Sequence, residues 1–170
     1  SQHNFWKTIK KDIQPGYNSI LCLNSGSEAN SLASRLANMH DNKNPVIVSM
    51  LGSFHGRTEA PALASHSCRE KYQQNLYNYK NKSLPSYFIK MNDSNHAEQI
   101  FDQIKKNGEH PELTFFEPVQ GEGDPGVMIQ PEFYKTIREL TKNANGLLLA
   151  DSVQAGLRCT GELSVTKYPG

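Results

Sequence analysis

Cysteine is scarce: the 170 residues hold three, Cys22, Cys68 and Cys159. Their odd number and wide separation exclude a disulfide framework, and no two stand two residues apart, which excludes a metal clip or a dithiol motif. Isolated thiols suit a reducing, intracellular compartment, the cytoplasm or the mitochondrial matrix. Charge of one sign is also lacking, with 18 Lys+Arg against 17 Asp+Glu, so the electrostatic footprint of a nucleic-acid binder is absent. No run approaches the ~18–20 consecutive apolar residues that cross a bilayer, and Ser1-Gln2-His3-Asn4 has neither the basic nor the apolar region of a secretion signal. The sequence therefore reads as free of nucleic acid, membrane and metal. Hydrophobic content is low at 36%, yet the apolar residues are gathered into short blocks, which argues against disorder.

Those blocks alternate in character. Ile20–Leu23, Val46–Met50, Tyr87–Ile89, Leu113–Phe116 and Leu147–Ala150 are near-continuous apolar runs of strand length. Between them, Ala29, Leu32, Ala33, Leu36 and Ala37 recur at intervals of three and four, as do Ala97, Ile100, Phe101 and Ile104, then Phe133, Ile137 and Leu140. Apolar strands joined by helix-length crossovers predict an α/β fold: a mostly parallel sheet with helices on both faces. Pro131 and Asn145-Gly146 supply start and stop signals for the last helix. The polar, tyrosine-rich stretch from His66 to Pro85 has no clean period and reads as a surface excursion, a solvated loop or an oligomer contact. No repeat and no Pro, Gly or Ser-rich linker divides the chain. Residues 162–170 end in loop-like sequence, so the chain reads as truncated, a single incomplete domain over 1–170.

In open parallel sheets, ligands lie beyond the carboxyl ends of the strands. After Ile20–Leu23 comes Asn24-Ser25-Gly26-Ser27-Glu28-Ala29-Asn30. Its small residues admit a ligand to the backbone, and free N–H groups at a helix start favour an anion, although Ser25 or Ser27 could equally be a helix cap. After Val46–Met50 comes Gly52-Ser53-Phe54-His55-Gly56-Arg57-Thr58. Phe54, set among small residues, can serve the core or stack on a planar ligand. After Leu113–Phe116 comes Glu117-Pro118-Val119-Gln120-Gly121-Glu122-Gly123, and Glu122 would pair with Arg57 if their loops face each other. After Leu147–Ala150 comes Asp151-Ser152-Val153-Gln154. An acid closing an apolar strand needs a partner for its charge, and a cationic ring nitrogen would serve.

These blocks, together with Pro131-Glu132-Phe133-Tyr134 and the continuation Ala155-Gly156, resemble in content and order the class III, fold-type I aminotransferases that use pyridoxal 5'-phosphate, among them the ornithine, acetylornithine, lysine and 4-aminobutyrate enzymes. The resemblance spans nearly the whole chain. It implies that Gly26 and Ser27 hold the cofactor phosphate, that Phe54 stacks on the ring, and that Val153 packs on its other face. Asp151 would pair with the ring nitrogen and Gln154 would reach the phenolic oxygen. Glu117, Glu122 and Arg57 take substrate-side roles, with Glu122 and Arg57 as an ion pair. Two positions depart from the family pattern: Ser152 where Glu is usual, and Arg158-Cys159-Thr160-Gly161 where Gly-Arg-Thr-Gly is usual.

The resemblance further implies that the chain is the central part of a large cofactor-binding domain. The Schiff-base lysine would lie beyond Gly170, because Lys135, Lys142 and Lys167 do not match its motif; the 170 residues alone would then be inactive. The expected reaction of the full-length protein is transfer of an amino group from an ω-amino or amino-acid donor to a 2-oxo acid, by a homodimer or higher homo-oligomer. An aminomutase of the glutamate-semialdehyde type, or a structural homologue without catalysis, is the alternative.

Overall fold

In a computed structural model, which describes residues 2–10, 16–39, 43–75 and 86–156, four of the five apolar runs join one sheet. The elements in chain order are α1 (Gln2–Ile9), α2 (Gly26–Ala37), β1 (Pro45–Met50), α3 (Glu59–Ala64), α4 (Arg69–Asn75), β2 (Ser86–Ile89), α5 (Ser94–Lys106), β3 (His110–Phe116), α6 (Pro131–Asn143) and β4 (Leu147–Ala150). The strands lie in the order β2-β1-β3-β4, and every pairing is parallel.

Alternation along the strands sorts the core into two layers. Val46, Val48 and Met50 of β1 join Ile89, Phe116 and the inward residues of α5 and α6: Ala97, Phe101, Ile104, Phe133 and Ile137. Ile47, Leu113 and Phe115 point the other way, onto Ala37 of α2, Ala62, Leu63 and Ala64 of α3, and Tyr72 of α4. The sheet is therefore covered on both faces, as the sequence predicts. The helix over 131–143 begins with Pro131 in its first turn, and Asn145 takes φ 58° in the turn that follows it.

The run Ile20–Leu23 is a correction: it forms no strand. A parallel strand exists only where a neighbour offers a ladder, and among the described residues none pairs with it; Leu21 and Leu23 stand 66% and 44% exposed. The apolar stripe assigned to α2 is a second correction. Ala37 is buried as expected, but Asn30 and Ser34 face inward with it while Leu36 is half exposed, because α2 packs largely through polar groups that are hydrogen-bonded, Ser34 Oγ to the Asn30 carbonyl at 2.8 Å among them. The third correction lies within 66–85. Residues 69–75 are helical, and α4 turns Tyr72 into the core while Arg69 stacks its guanidinium 4.9 Å from the Phe88 ring. Tyr77 and Tyr79 lie outside the described residues, as do Arg158, Cys159 and Lys167.

The strand order places the crevice. From β1 the chain moves to one side to make β2, then returns across β1 to make β3 on the other side and β4 beyond it. The β1–β2 crossover therefore packs on one face of the sheet and the β2–β3 and β3–β4 crossovers on the other. The carboxyl ends of the strands at such a reversal are where ligands of open α/β sheets bind.

Candidate active site

At that end of the sheet, Ser25, Gly26, Ser27, Asn30, Phe54, His55, Gly56, Asp151, Val153 and Gln154 line one cavity of about 150 Å³. Six of them, Gly26, Ser27, Phe54, Asp151, Val153 and Gln154, are the residues expected to hold the cofactor, drawn together from three separate strand-end and helix-start segments. Ser25 caps α2, its Oγ accepting from the Glu28 N–H at 3.2 Å. The start of the helix, Gly26 and Ser27, lines the cavity, with the positive end of the helix dipole behind it. Gly26 is required by space: a Cβ there would stand 2.8 Å from Val153 Cγ1.

The loop after β1 is laced to α2. The Arg57 N–H donates to Ser27 Oγ at 3.2 Å, Thr58 Oγ1 donates to the Ser27 carbonyl at 3.3 Å, and the Ser31 and Thr58 hydroxyls meet at 2.8 Å. The loop after β3 is laced to β1: Gln120 Nε2 donates to the Leu51 carbonyl at 2.8 Å. Glu117 is buried and accepts from the Phe54 N–H at 3.1 Å and the Gly121 N–H at 3.2 Å. Its side chain therefore fixes the backbone that carries the Phe54 ring.

Asp151 ends β4 and is 5% exposed. Its Oδ2 meets His55 Nδ1 at 2.8 Å and accepts from Asn30 Nδ2 at 2.7 Å, while Oδ1 accepts from the Val153 N–H at 3.1 Å. The expected acid is thus in place and buried, which fits a cationic ring nitrogen better than water. Sequence reading assigned no role to His55 or Asn30. The signal was present, since both lie inside the quoted blocks, but nothing in their spacing indicates that they share one carboxylate.

The expected pair of Glu122 and Arg57 does not form. Both side chains are exposed, and Glu122 Oε1 lies 3.5 Å from Gln154 Nε2 instead. An exposed pair gains little in water and does not overcome the entropy of holding two long side chains.

Burial raises the Glu117 carboxyl above its ordinary range, and the nearby Asp151 adds to this; His55 and the two backbone N–H donors pull the other way. Folded Glu117 therefore holds its proton more tightly than the unfolded chain does. In the window from the ordinary value of 4.5 up to the raised one, the folded state binds more protons, so this group's contribution to stability falls as pH rises. Denaturant titrations of the full-length protein across that window are expected to show the decline, and Glu117→Gln is expected to flatten it. Parallel slopes for the two proteins would reject the assignment.

Comparison with known proteins shows the family. The family model described as aminotransferase class-III matches residues 2–170. An acetylornithine aminotransferase of Prochlorococcus marinus is 34% identical over 152 residues, covering 85% of this chain and 35% of that protein. A mitochondrial ornithine aminotransferase of Arabidopsis thaliana is 36% identical over 157 residues, covering 87% of this chain and 31% of that protein. Among solved structures, a transaminase from the marine bacterium Virgibacillus superposes with a TM-score of 0.73 at 26% identity, over 95% of this chain and 37% of that one. The ornithine aminotransferase of Toxoplasma gondii shares the fold, with a TM-score of 0.70 at 23% identity over 95% of this chain and 37% of that one. The chain spans about a third of the length of the curated relatives it matches. It belongs to the class-III aminotransferase family.

Proposed function

We propose that the full-length protein is a pyridoxal 5'-phosphate-dependent aminotransferase that moves an amino group from an ω-amino or amino-acid donor to a 2-oxo acid, and that residues 1–170 form the central part of its cofactor-binding domain. The observation that carries the proposal is the convergence of Gly26, Ser27, Phe54, Asp151, Val153 and Gln154 on one cavity. The names of the relatives, acetylornithine and ornithine aminotransferases, support the donor class.

Bound there, the cofactor supplies an electron sink that eases proton removal from the carbon bearing the amino group. The chain's own residues bind and orient it. The first turn of α2, at Gly26 and Ser27, takes the phosphate through backbone N–H groups. Phe54, held by Glu117, offers a ring face, and Val153 closes the other side. Asp151 holds a proton on the ring nitrogen, and Gln154 donates to the phenolic oxygen. Glu122 and Arg57 are exposed and take the substrate-side roles, where the Arg57 guanidinium suits a carboxylate, while the substrate-side role expected of Glu117 is indirect, through the backbone it holds.

The test is direct. Full-length protein loaded with pyridoxal phosphate should convert 2-oxoglutarate to glutamate with acetylornithine, ornithine or 4-aminobutyrate as donor. Folded, loaded protein that leaves every donor untouched would overturn the proposal.

A further inference from the structure

We infer that His55 and Asn30 are positioning residues for Asp151: by occupying Oδ2 they turn Oδ1 toward the ring nitrogen, and through Asn30 they tie the ring-nitrogen partner to the phosphate-binding turn. The inference rests on the proposed cofactor reading and adds two residues that none of the expected contacts includes.

The argument begins with the carboxylate. A carboxylate only accepts hydrogen bonds, so His55 carries a hydrogen on Nδ1. Oδ2 then receives two short donors, His55 Nδ1 at 2.8 Å and Asn30 Nδ2 at 2.7 Å, as many as its two lone pairs accept. Oδ1 receives one, the Val153 N–H at 3.1 Å, and keeps a free acceptor direction. The two oxygens are therefore not equivalent. Asp151 lines the cavity, and of its two oxygens Oδ1, with one donor, has room for another.

Asn30 does more than fill a lone pair. Its amide nitrogen has two hydrogens, and each has a partner: the Asp151 carboxylate and the His55 carbonyl, both at 2.7 Å. Asn30 lies four residues after Gly26 on the same helix, hence about one turn below the phosphate-binding residues. The distance between the phosphate site on α2 and the nitrogen partner at the end of β4 is thus set by one buried amide. A rigid cofactor spanning the two sites demands a fixed distance of this kind. His55 is itself held from behind, its N–H donating to Ser65 Oγ at 2.8 Å and its ring 4.8 Å from the Phe115 ring.

The experiment uses full-length protein loaded with pyridoxal phosphate labelled with ¹⁵N in the ring. Asn30→Ala favours the helix, and His55→Leu removes the Nδ1 donor at similar bulk. Both are expected to move the ring ¹⁵N resonance toward that of unprotonated pyridine and to raise the cofactor dissociation constant about tenfold, the lower end of the range for losing a residue that orients a ligand-binding group. His55→Asn, whose Nδ2 can occupy the place of Nδ1, should stay within about threefold of the parent on the same scale. Asp151→Asn separates the two levels of the argument. If Asp151→Asn moves the resonance while folded Asn30→Ala and His55→Leu leave it unchanged, the positioning inference is overturned and the cofactor reading stands. If Asp151→Asn leaves it unchanged, the cofactor reading itself fails. Should His55→Leu not fold, Asn30→Ala and His55→Asn decide the matter, because a merely structural role would lower the melting temperature without moving the ring nitrogen signal.

Discussion

In the full-length protein, Asp151→Asn is expected to lower the transamination rate by about 100-fold or more, the scale on which one preorganised electrostatic partner acts, while the chain still folds. Two effects combine. A neutral amide no longer balances a positive ring nitrogen, so the ring loses the proton that makes it an electron sink. Geometry adds a second cost. Every group now facing Asp151 is a donor: His55 Nδ1 and Asn30 Nδ2 on one oxygen, the Val153 N–H on the other. An amide can turn its oxygen to one side only, leaving its NH₂ against a donor on the other, at a cost of about 1–3 kcal/mol for the unmade bond. Turnover at saturating cofactor, with circular dichroism as the check on folding, measures both. A parent-like rate would show that Asp151 has no part in the chemistry.

Gly123→Ala is expected to destabilise the protein by about 2–5 kcal/mol, combining the strain of a side chain in a left-handed conformation with overpacking. Gly123 has φ 79°, and a Cβ there would stand 2.2 Å from the Gly52 carbonyl oxygen. The obstacle is backbone, so no rotamer change relieves it. The loops after β1 and β3 are pressed together at this point, and separating them would also draw Glu117 from the Phe54 N–H. Denaturant unfolding measures the loss, and a rise in the cofactor dissociation constant should accompany it. A variant as stable as the parent would mean that the two loops are free to part.

How much of this was legible in the sequence varies by segment, for physical reasons. The helix over 131–143 was readable at both ends, because Pro131 and Asn145-Gly146 act through local backbone geometry. Val46–Met50 and Leu113–Phe116 were readable because buried strands are nearly continuous in apolar residues, Ser49 and Thr114 being the exceptions, whereas Leu147–Ala150 was readable by composition although β4 is only partly covered. Ile20–Leu23 has the same composition and forms no strand, since pairing is a property of two segments and composition describes one. Short helices such as 69–75 bury a single large side chain, Tyr72, which leaves no period to detect. In the site, the residues expected to surround the cofactor were named by resemblance and converge as expected. The contacts of Asp151 with Asn30 and His55 were not legible, because buried polar partners are chosen by three-dimensional packing across 121 and 96 positions of sequence.

That separation has a consequence during synthesis. Chains emerge from the ribosome at about 5–20 residues per second, so Asp151 follows Asn30 by about 6–24 s. For the part of that interval after His55 is made, 96 of the 121 positions, α2 and the loop after β1 can form, but the Asn30 amide and the His55 ring lack the carboxylate they are shaped to meet. The half-site has an unsatisfied polar interior, and nothing rewards its closing. The polar interior around Asp151 is therefore completed only after β4 has docked, the last of the described strands to be made.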